Sequence, residues 1–343
     1  MKKKSVAIVT LNGDANFGNR LQNYAVQEFL KKFDLSVCTL RIYKKRKSLL
    51  FKFFKIIVLP FFDYRYHYFC NFNKNVKTRY CLTSSRKNYD YYFTGSDQVW
   101  NPYWIWEEMF LDFVPPNKRN SISASIGTEF IPQDKQQFFF EQLKDFNNIS
   151  VRETKAKEII EDLTGRTDVE VLLDPTMFLT QTEWKSVMKK PKQIKSNEKY
   201  ILNYFLGGLS DSNKQEIEKF AVQKECKIIN LLDKNDPFYI SGPSEFLWLI
   251  KNALLICTDS FHSSVFSILF EKPFVYFDRI DIVGEQAMNS RLETLFLKFQ
   301  LDTRNFNGHL TDDCLNVDYS YCKEVLEEER LKATNFIKNC LKE

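Results

Sequence analysis

The stretch that decides the fold is SVAIVTLNGDANFGNRLQNYAVQEFLKKFDLSVCTLRI, residues 5–42. Its apolar run at 5–11 predicts a buried strand, and residues 36–42 predict a second one. Between them, apolar side chains recur near one face of residues 20–33, which predicts an amphipathic helix. Strand, helix and strand in this order form a βαβ unit, the usual beginning of a doubly wound parallel sheet.

The same alternation continues along the rest of the 343 residues, a length that favours two domains. Pro175 interrupts a predicted strand at 168–179, and a second set of alternating elements begins at residue 200. We therefore predict an α/β protein with two Rossmann-like domains facing a cleft. The predicted units are an N-terminal domain (1–175), a C-terminal domain (176–318) and a C-terminal helix (319–343). Further strands are expected at 90–97, 120–127, 148–153, 200–207, 226–232, 253–259 and 273–278.

Composition narrows the classes of function. The formal net charge of +5 is too small to indicate a nucleic-acid partner. The eight cysteines form no CxxC pair, which argues against a zinc site and favours free thiols in a reducing compartment. The first apolar run is about six residues, too short for a signal peptide. We therefore expect a cytoplasmic protein without a metal.

His262, one of three histidines, lies where a predicted strand (253–259) passes into a predicted helix. Ser260, Ser263 and Ser264 flank it and could cap that helix. Such a turn lies at the carboxyl edge of a parallel sheet, where open α/β folds bind ligands, and the helix N-terminus favours an anion. His262 could donate to that anion or transfer a proton. A packed capping histidine is an equally good interpretation.

Two arginines are candidates for holding the same anion. Arg152 ends a predicted strand at another carboxyl edge, and its guanidinium suits a carboxylate or a phosphate. An exposed arginine paired with Glu153 is the commoner arrangement. Arg291 lies in the first turn of a predicted helix, where a cation opposes the helix dipole and hints at a bound anion. Asp174 is expected to serve a turn.

Polar residues after two strands could bind a second substrate. The strand at 90–97 runs into a loop that holds Asp97 and Trp100, and a tryptophan beside polar side chains is a common sugar platform, although a core tryptophan fits equally well. Asn19 lies at the first strand–helix turn. The chain has no GxGxxG and no GxxxxGK[ST] motif, so neither a dinucleotide site nor a P-loop is supported.

The segment 43–69 is both basic and aromatic. It could lie on an anionic membrane surface. A solvated helix covering the first domain is the commoner outcome for such a composition.

Six blocks in fixed order connect these residues to a known family: NFGNRLQNYA, TGSDQVWNP, SASIG, ISVRE, LLDPTMFL and CTDSFHSSVFSILFEKPFV. Together they resemble the polysaccharide pyruvyl transferase family over about residues 6–300. The resemblance implies a fold of GT-B type, phosphoenolpyruvate as donor, and a cyclic pyruvate ketal on a sugar as product. It also implies roles for His262 and Arg152 in donor binding and catalysis.

The resulting assignments fall into three groups. Catalytic roles are expected for His262 and Arg152, donor contacts for Ser260, Ser263, Ser264 and Arg291, and acceptor contacts for Asn19, Asp97 and Trp100. Neither a cofactor nor a metal is expected. The acceptor would be a sugar of a lipid-linked or nucleotide-linked precursor of a bacterial surface polysaccharide. The enzyme would work in the cytoplasm, with peripheral contact to the inner face of the membrane through 43–69 as an option.

Two other functions fit the same sequence. A GT-B glycosyltransferase would use a sugar nucleotide and release a nucleotide instead of phosphate. A non-catalytic, anion-binding assembly factor would bind a donor without turning it over; the pairing of Arg152 with His262 argues against this second alternative.

Overall fold

The computed structural model describes residues 3–11, 16–41, 65, 68, 69, 72, 76, 79–82, 89–195, 198–280 and 290–342. Almost all of the segment 43–69 lies outside these residues, so its membrane contact stays a prediction.

The first half of the chain forms a parallel sheet of five strands in the order β3-β2-β1-β4-β5. These are β1 (Ser5–Val9), β2 (Ser36–Arg41), β3 (Tyr80–Leu82), β4 (Tyr91–Thr94) and β5 (Arg119–Ser121). A two-stranded parallel sheet, β6 (Ser150–Val151) and β7 (Glu170–Val171), continues it through single bridges from Asn120 to Asn148 and from Ala124 to Val151.

The second half forms a parallel sheet of four strands in the order β11-β10-β8-β9. Its strands are β8 (Tyr200–Tyr204), β9 (Lys227–Asn230), β10 (Leu255–Thr258) and β11 (Phe274–Tyr276). The buried, apolar β8 and β10 lie at its centre, as expected for strands covered on both faces.

Helices connect and cover both sheets. In chain order they are α1 (Phe17–Lys31), α2 (Gln133–Leu143), α3 (Thr154–Thr164), α4 (Gln181–Lys185), α5 (Asp211–Gln223), α6 (Pro243–Asn252), α7 (Phe261–Leu269), α8 (Ser290–Phe299) and α9 (Ser320–Cys340). The prediction of an α/β protein with two Rossmann-like halves of GT-B type is confirmed. The domain boundary stays a prediction, and α9 returns to the first half, where Lys332 donates to the carbonyl of Val171 at 2.7 Å.

Helix α1 lies between the two halves, which explains why most of its residues are buried and not only one face. The Phe17 ring stacks on Phe246 of α6, with ring centres 4.5 Å apart and planes 4° from parallel. Phe17 also meets Tyr204, at the end of β8, at 5.6 Å. One apolar core therefore runs from the first sheet through α1 into the second half.

Three predicted strands are much shorter than expected, namely those at 120–127, 148–153 and 168–179. Serine hydroxyls replace backbone partners at their ends: Ser150 donates its N–H to the Ser121 hydroxyl at 2.8 Å, and Ser123 donates its N–H to the Ser150 hydroxyl at 3.0 Å. Because side chains take these places, the regular ladder ends early. The third segment turns at Asp174 into a single 3₁₀ turn, Pro175–Phe178.

Among the described residues, no helix has the length and hydropathy needed to cross a membrane.

The stacked Phe17–Phe246 pair generates the first prediction. Replacing Phe246, which is fully buried, with alanine removes a ring that contacts both halves. We expect the free energy of unfolding to fall by about 3–5 kcal/mol in urea titrations. Leu297→Ala, at a side chain that is 67% exposed, is the control and should change stability little. Equal losses in the two variants would contradict a core shared between the halves.

Candidate active site

The cleft lies where the strand order reverses in each sheet. In the first sheet the reversal falls between β1 and β4, whose ends are joined by a 2.8 Å hydrogen bond from the Thr10 hydroxyl to the Ser96 carbonyl. In the second it falls between β8 and β10, where Asp259 accepts from the N–H groups of Leu206 and Gly207 at 2.6 and 2.7 Å. Ligands of open α/β sheets bind at such points.

A cavity of about 250 Å³ joins these two reversal points. The first half contributes mainly polar groups, among them Asn16, Gly18, Asn19, Asp97, Gln98 and Trp104. The second half contributes Tyr204, Leu206, Ser260, Phe261, His262, Arg279 and Arg291. Cationic side chains therefore lie on one side of the cleft, opposite carboxylate and amide groups.

His262 sits in the first turn of α7, as expected, and its ring lies against the first half of the molecule. Ser260 caps the helix, its hydroxyl accepting from the N–H of Ser263 at 3.5 Å. A Cβ atom at Gly18 would lie 2.2 Å from Nδ1 of His262. Glycine at position 18 is therefore what allows the imidazole to approach the backbone of α1 so closely.

Arg152 is buried behind the cleft. Its Nη1 donates to Oδ2 of Asp174 at 2.7 Å, and its Nη2 lies 3.6 Å from Oδ1 of Asp97. The guanidinium also lies over the Phe261 ring, 4.4 Å from the ring centre. The predicted pair of Arg152 with Glu153 is not formed. One oxygen of Glu153 instead accepts from the Ser125 hydroxyl and from the backbone N–H groups of residues 126 and 127. Arg152 is thus an internal ion-pair partner and does not line the cavity.

Asp174 connects the two candidate catalytic residues, a role the sequence analysis missed. One oxygen accepts from the N–H and hydroxyl of Thr176 at 3.0 and 2.7 Å, the turn role that was predicted. The other oxygen receives Arg152 and lies 3.5 Å from Nε2 of His262. Burial would raise the pKa of Asp174, but the charges of His262 and Arg152 and these hydrogen bonds lower it far below its usual value.

Asp97 lies at the cleft in a left-handed backbone conformation, with φ at 74°. Its second oxygen accepts from the side-chain amide of Asn19, so the two predicted acceptor residues are in direct contact. Burial opposes ionisation, yet Arg152, His262 and Arg291 outweigh it and lower the pKa of Asp97. The carboxylate therefore stays charged and can accept a hydrogen bond from a hydroxyl in the cleft.

Arg291 lines the cavity and lies over Phe261 at 5.5 Å from the ring centre. Burial, together with the neighbouring charges of Arg152 and Arg279, lowers the pKa of Arg291 to about 10. Arg279 was not predicted. It follows β11, at the edge of the sheet that faces the cleft. Its Nε lies 3.4 Å from the carboxylate of Asp259, the residue after the neighbouring strand β10.

Three predicted contact residues do not reach the cavity. Trp100 is fully buried, where its Nε1 donates to the Met109 carbonyl at 3.2 Å, so its ring offers no platform for a sugar. Ser263 and Ser264 are also fully buried, and the Ser264 hydroxyl donates back to the Ser260 carbonyl at 3.3 Å. Trp104, four residues after Trp100, is the tryptophan that lines the cleft. A turn at residues 102 and 103 separates the two tryptophans, and Trp100 packs into the core while Trp104 lies at the cleft.

In the described part of the chain, no three His, Cys, Asp or Glu side chains are grouped closely enough to hold a metal ion. The catalytic and binding roles of the other site residues stay predictions, and the structure gives the positions of their side chains in the cleft.

Asp174→Asn tests the buried network. It removes the carboxylate that accepts a hydrogen bond from Arg152 and leaves Asp97, at 3.6 Å, as the nearest remaining ion-pair partner, so we expect a loss of about 3–5 kcal/mol in the free energy of unfolding at pH 7. Because the folded pKa of Asp174 is depressed, its contribution is fully present above the unfolded value of about 3.9 and is lost as the pH falls below it. The difference between wild type and variant should therefore be constant from pH 7 to about 5 and shrink at about 3.5.

Urea titrations at these three pH values measure the effect. Asp168→Asn is the matched control, because Asp168 forms a solvent-exposed pair with Arg166 at 2.7 Å. A difference for Asp174→Asn that persists unchanged at the lowest pH would rule out the ionised carboxylate as its source.

The chain aligns with solved structures at low sequence identity. The chain aligns over most of its length with UGT71G1 of Medicago truncatula, solved with UDP-glucose (TM-score 0.47, 8% identity, 98% of each chain covered). It also aligns with the UDP-GlcNAc 2-epimerase of Neisseria meningitidis, solved with UDP-GlcNAc (TM-score 0.42, 12% identity, 96% of this chain and 100% of the other). No curated protein sequence matches.

The family model described as polysaccharide pyruvyl transferase matches residues 16–281. This range includes Asn19, Asp97, Arg152, Asp174 and His262, and it ends just after Arg279. It covers well over half of the chain and both halves of the cleft. The chain therefore belongs to the polysaccharide pyruvyl transferase family, a transferase family of polysaccharide modification.

Proposed function

We propose that the protein transfers the enolpyruvyl group of phosphoenolpyruvate to two hydroxyls of one sugar, forming a cyclic pyruvate ketal and releasing phosphate. The observation that carries the proposal is the shared cavity, in which His262 and Arg291 of one half face Asn19 and Asp97 of the other. The acceptor would be a sugar of a lipid-linked or nucleotide-linked polysaccharide precursor. A cytoplasmic location and peripheral membrane contact are part of the same proposal.

The donor carries a carboxylate and a phosphate, and neither can enter a cleft without a partner. Arg291 and the positive end of α7 supply partners on the second half of the molecule. Arg152 was expected to hold the donor directly. Because it already binds Asp174 and sits near Asp97, we assign it a positioning role.

The reaction requires protonation of the methylene carbon of the donor, and His262 is the proposed acid. One sugar hydroxyl attacks the resulting cationic carbon, the bond to the phosphate oxygen breaks, and the second hydroxyl closes the ring. Of the two hydroxyl protons, one balances the proton now on the methyl group and the other leaves with phosphate. Asp174, 3.5 Å from Nε2, would orient the imidazole during the transfer.

The acceptor would bind against the first half. Asp97 can accept from a sugar hydroxyl, and the Asn19 amide holds that carboxylate in place. Trp104 lines the same cavity and replaces Trp100 as the proposed sugar platform.

The direct test is release of phosphate from phosphoenolpyruvate in the presence of a panel of sugar acceptors, with mass spectrometry of the products. A product heavier than the acceptor by pyruvate less one water supports the ketal. Release of a nucleotide from a sugar nucleotide, with no reaction of phosphoenolpyruvate, would instead favour the glycosyltransferase alternative and sink the proposal.

His262→Ala should lower turnover by about 10²–10⁴-fold at saturating donor, because a positioned acid typically contributes that much. His262→Gln fills more of the space without an acid and should be similarly slow. His309→Ala, at an exposed histidine beside Glu216, is the matched control and should keep the wild-type rate. Full turnover by both His262 variants would remove the residue from the mechanism.

A further inference from the structure

The ring of Phe261 contacts three of the side chains that were assigned to the site. Arg152 lies over it with the guanidinium carbon 4.4 Å from the ring centre, and Arg291 lies over it at 5.5 Å. The imidazole of His262 meets the same ring at 90°, with ring centres 5.4 Å apart. Ser260 and His262, its neighbours in sequence, were predicted site residues, whereas Phe261 was not.

The fold fixes the position of this ring. Phe261 is the first residue of α7, whose N-cap Ser260 accepts from the N–H of Ser263 at 3.5 Å. Its side chain is only 5% exposed, so it is packed on almost all sides. A ring held in this way keeps a defined orientation towards the groups around it.

Phe261 separates two spaces that differ in the arginines they reach. The cavity of the cleft is lined by Phe261 and Arg291 but not by Arg152. A second, smaller pocket is lined by Phe261 and by both arginines. The ring therefore forms a wall common to the two spaces, and the guanidinium of Arg152, which donates to Asp174, is placed on the side of the smaller pocket.

Carboxylates already accompany the two arginines, so neutralisation of charge is not what the ring supplies. Asp174 binds Arg152. Burial and Arg152 lower the pKa of Arg291 to about 10, while Glu153 and Asp97 act in the opposite direction. What the ring adds is direction, because its negatively polarised face attracts a guanidinium that lies over it, and does so more strongly where water is excluded. It thus favours one placement of the long Arg291 side chain among those available.

We propose that Phe261 is a positioning residue that holds the guanidinium of Arg291 at the cavity and keeps that of Arg152 out of it. The inference rests on the proposed function and deepens it, because it gives the reason why Arg291 and not Arg152 would meet the donor. The effect on the donor is exerted through Arg291. Binding of the acceptor, against the first half of the molecule, should not depend on the ring.

Steady-state kinetics with phosphoenolpyruvate test this role. Phe261→Leu keeps an apolar side chain but loses the aromatic face, so the KM for phosphoenolpyruvate should rise by about 5- to 30-fold while the KM for the acceptor stays the same. Phe261→Tyr keeps the face and should stay within about threefold of wild type. Phe139→Leu, at a buried ring of α2 that packs on Phe110, is the matched control and should keep the wild-type KM. A wild-type donor KM in Phe261→Leu would overturn the proposal.

A double-mutant cycle separates this inference from the proposed reaction, because it needs no substrate. The unfolding constants in urea of wild type, Phe261→Leu, Arg291→Met and the double variant should show a coupling of about 5- to 30-fold. The same cycle with Phe139→Leu in place of Phe261→Leu should be additive. Additive losses in the Phe261 cycle would refute the positioning role, whatever the protein catalyses. Coupling in that cycle, without release of phosphate from phosphoenolpyruvate with any acceptor, would remove the proposed reaction and leave the positioning of Arg291 in place.

Discussion

The site depends on the interactions of one buried carboxylate, that of Asp174. It is buried where the first half of the chain ends, and it receives Arg152 from one half while lying against His262 of the other. A buried carboxylate with one cation is marginal, because desolvation opposes the attraction. The ionised form of Asp174 is stabilised further because its other oxygen accepts hydrogen bonds from the N–H and the hydroxyl of Thr176. The position of the imidazole and the junction between the halves are therefore fixed by the same side chain.

The reversal of strand order in each sheet explains why these side chains meet. Each reversal opens a crevice at the carboxyl ends of two neighbouring strands, and α1 packs the two halves so that the crevices face one another. Gly18 is the second residue of that helix and also contacts His262. Packing between the halves and assembly of the site therefore rely on the same turn of α1, which leaves little freedom to shift one half without disturbing the imidazole.

Much of the architecture could be predicted from sequence, because apolar runs and helical periodicity are local signals. The halves, their helices, and the positions of His262, Asn19 and Asp97 at the carboxyl edges follow from those signals alone. The length of the strands at 120–127 and 148–153 could not, because serine hydroxyls compete with the ladder only once the strands are paired. Trp100 and Trp104 are equally plausible from spacing, and tertiary packing decides which one is buried. The role of Asp174 and the position of Arg279 at the cleft arise from contacts between distant segments, which no local pattern shows.

The distribution of charge across the cleft also limits the chemistry it can support. The second half presents cations and an imidazole, while the first half presents a carboxylate and an amide. An anionic ligand is therefore favoured on one side and a ligand rich in hydroxyl groups on the other. Asp97 would repel an anion placed on the first half. Arg152 offsets that charge only from the side of Asp97 that faces away from the cavity. In the proposed reaction the donor would therefore lie against the second half and the acceptor against the first, with the ring of His262, which lies close to the backbone of α1, between them.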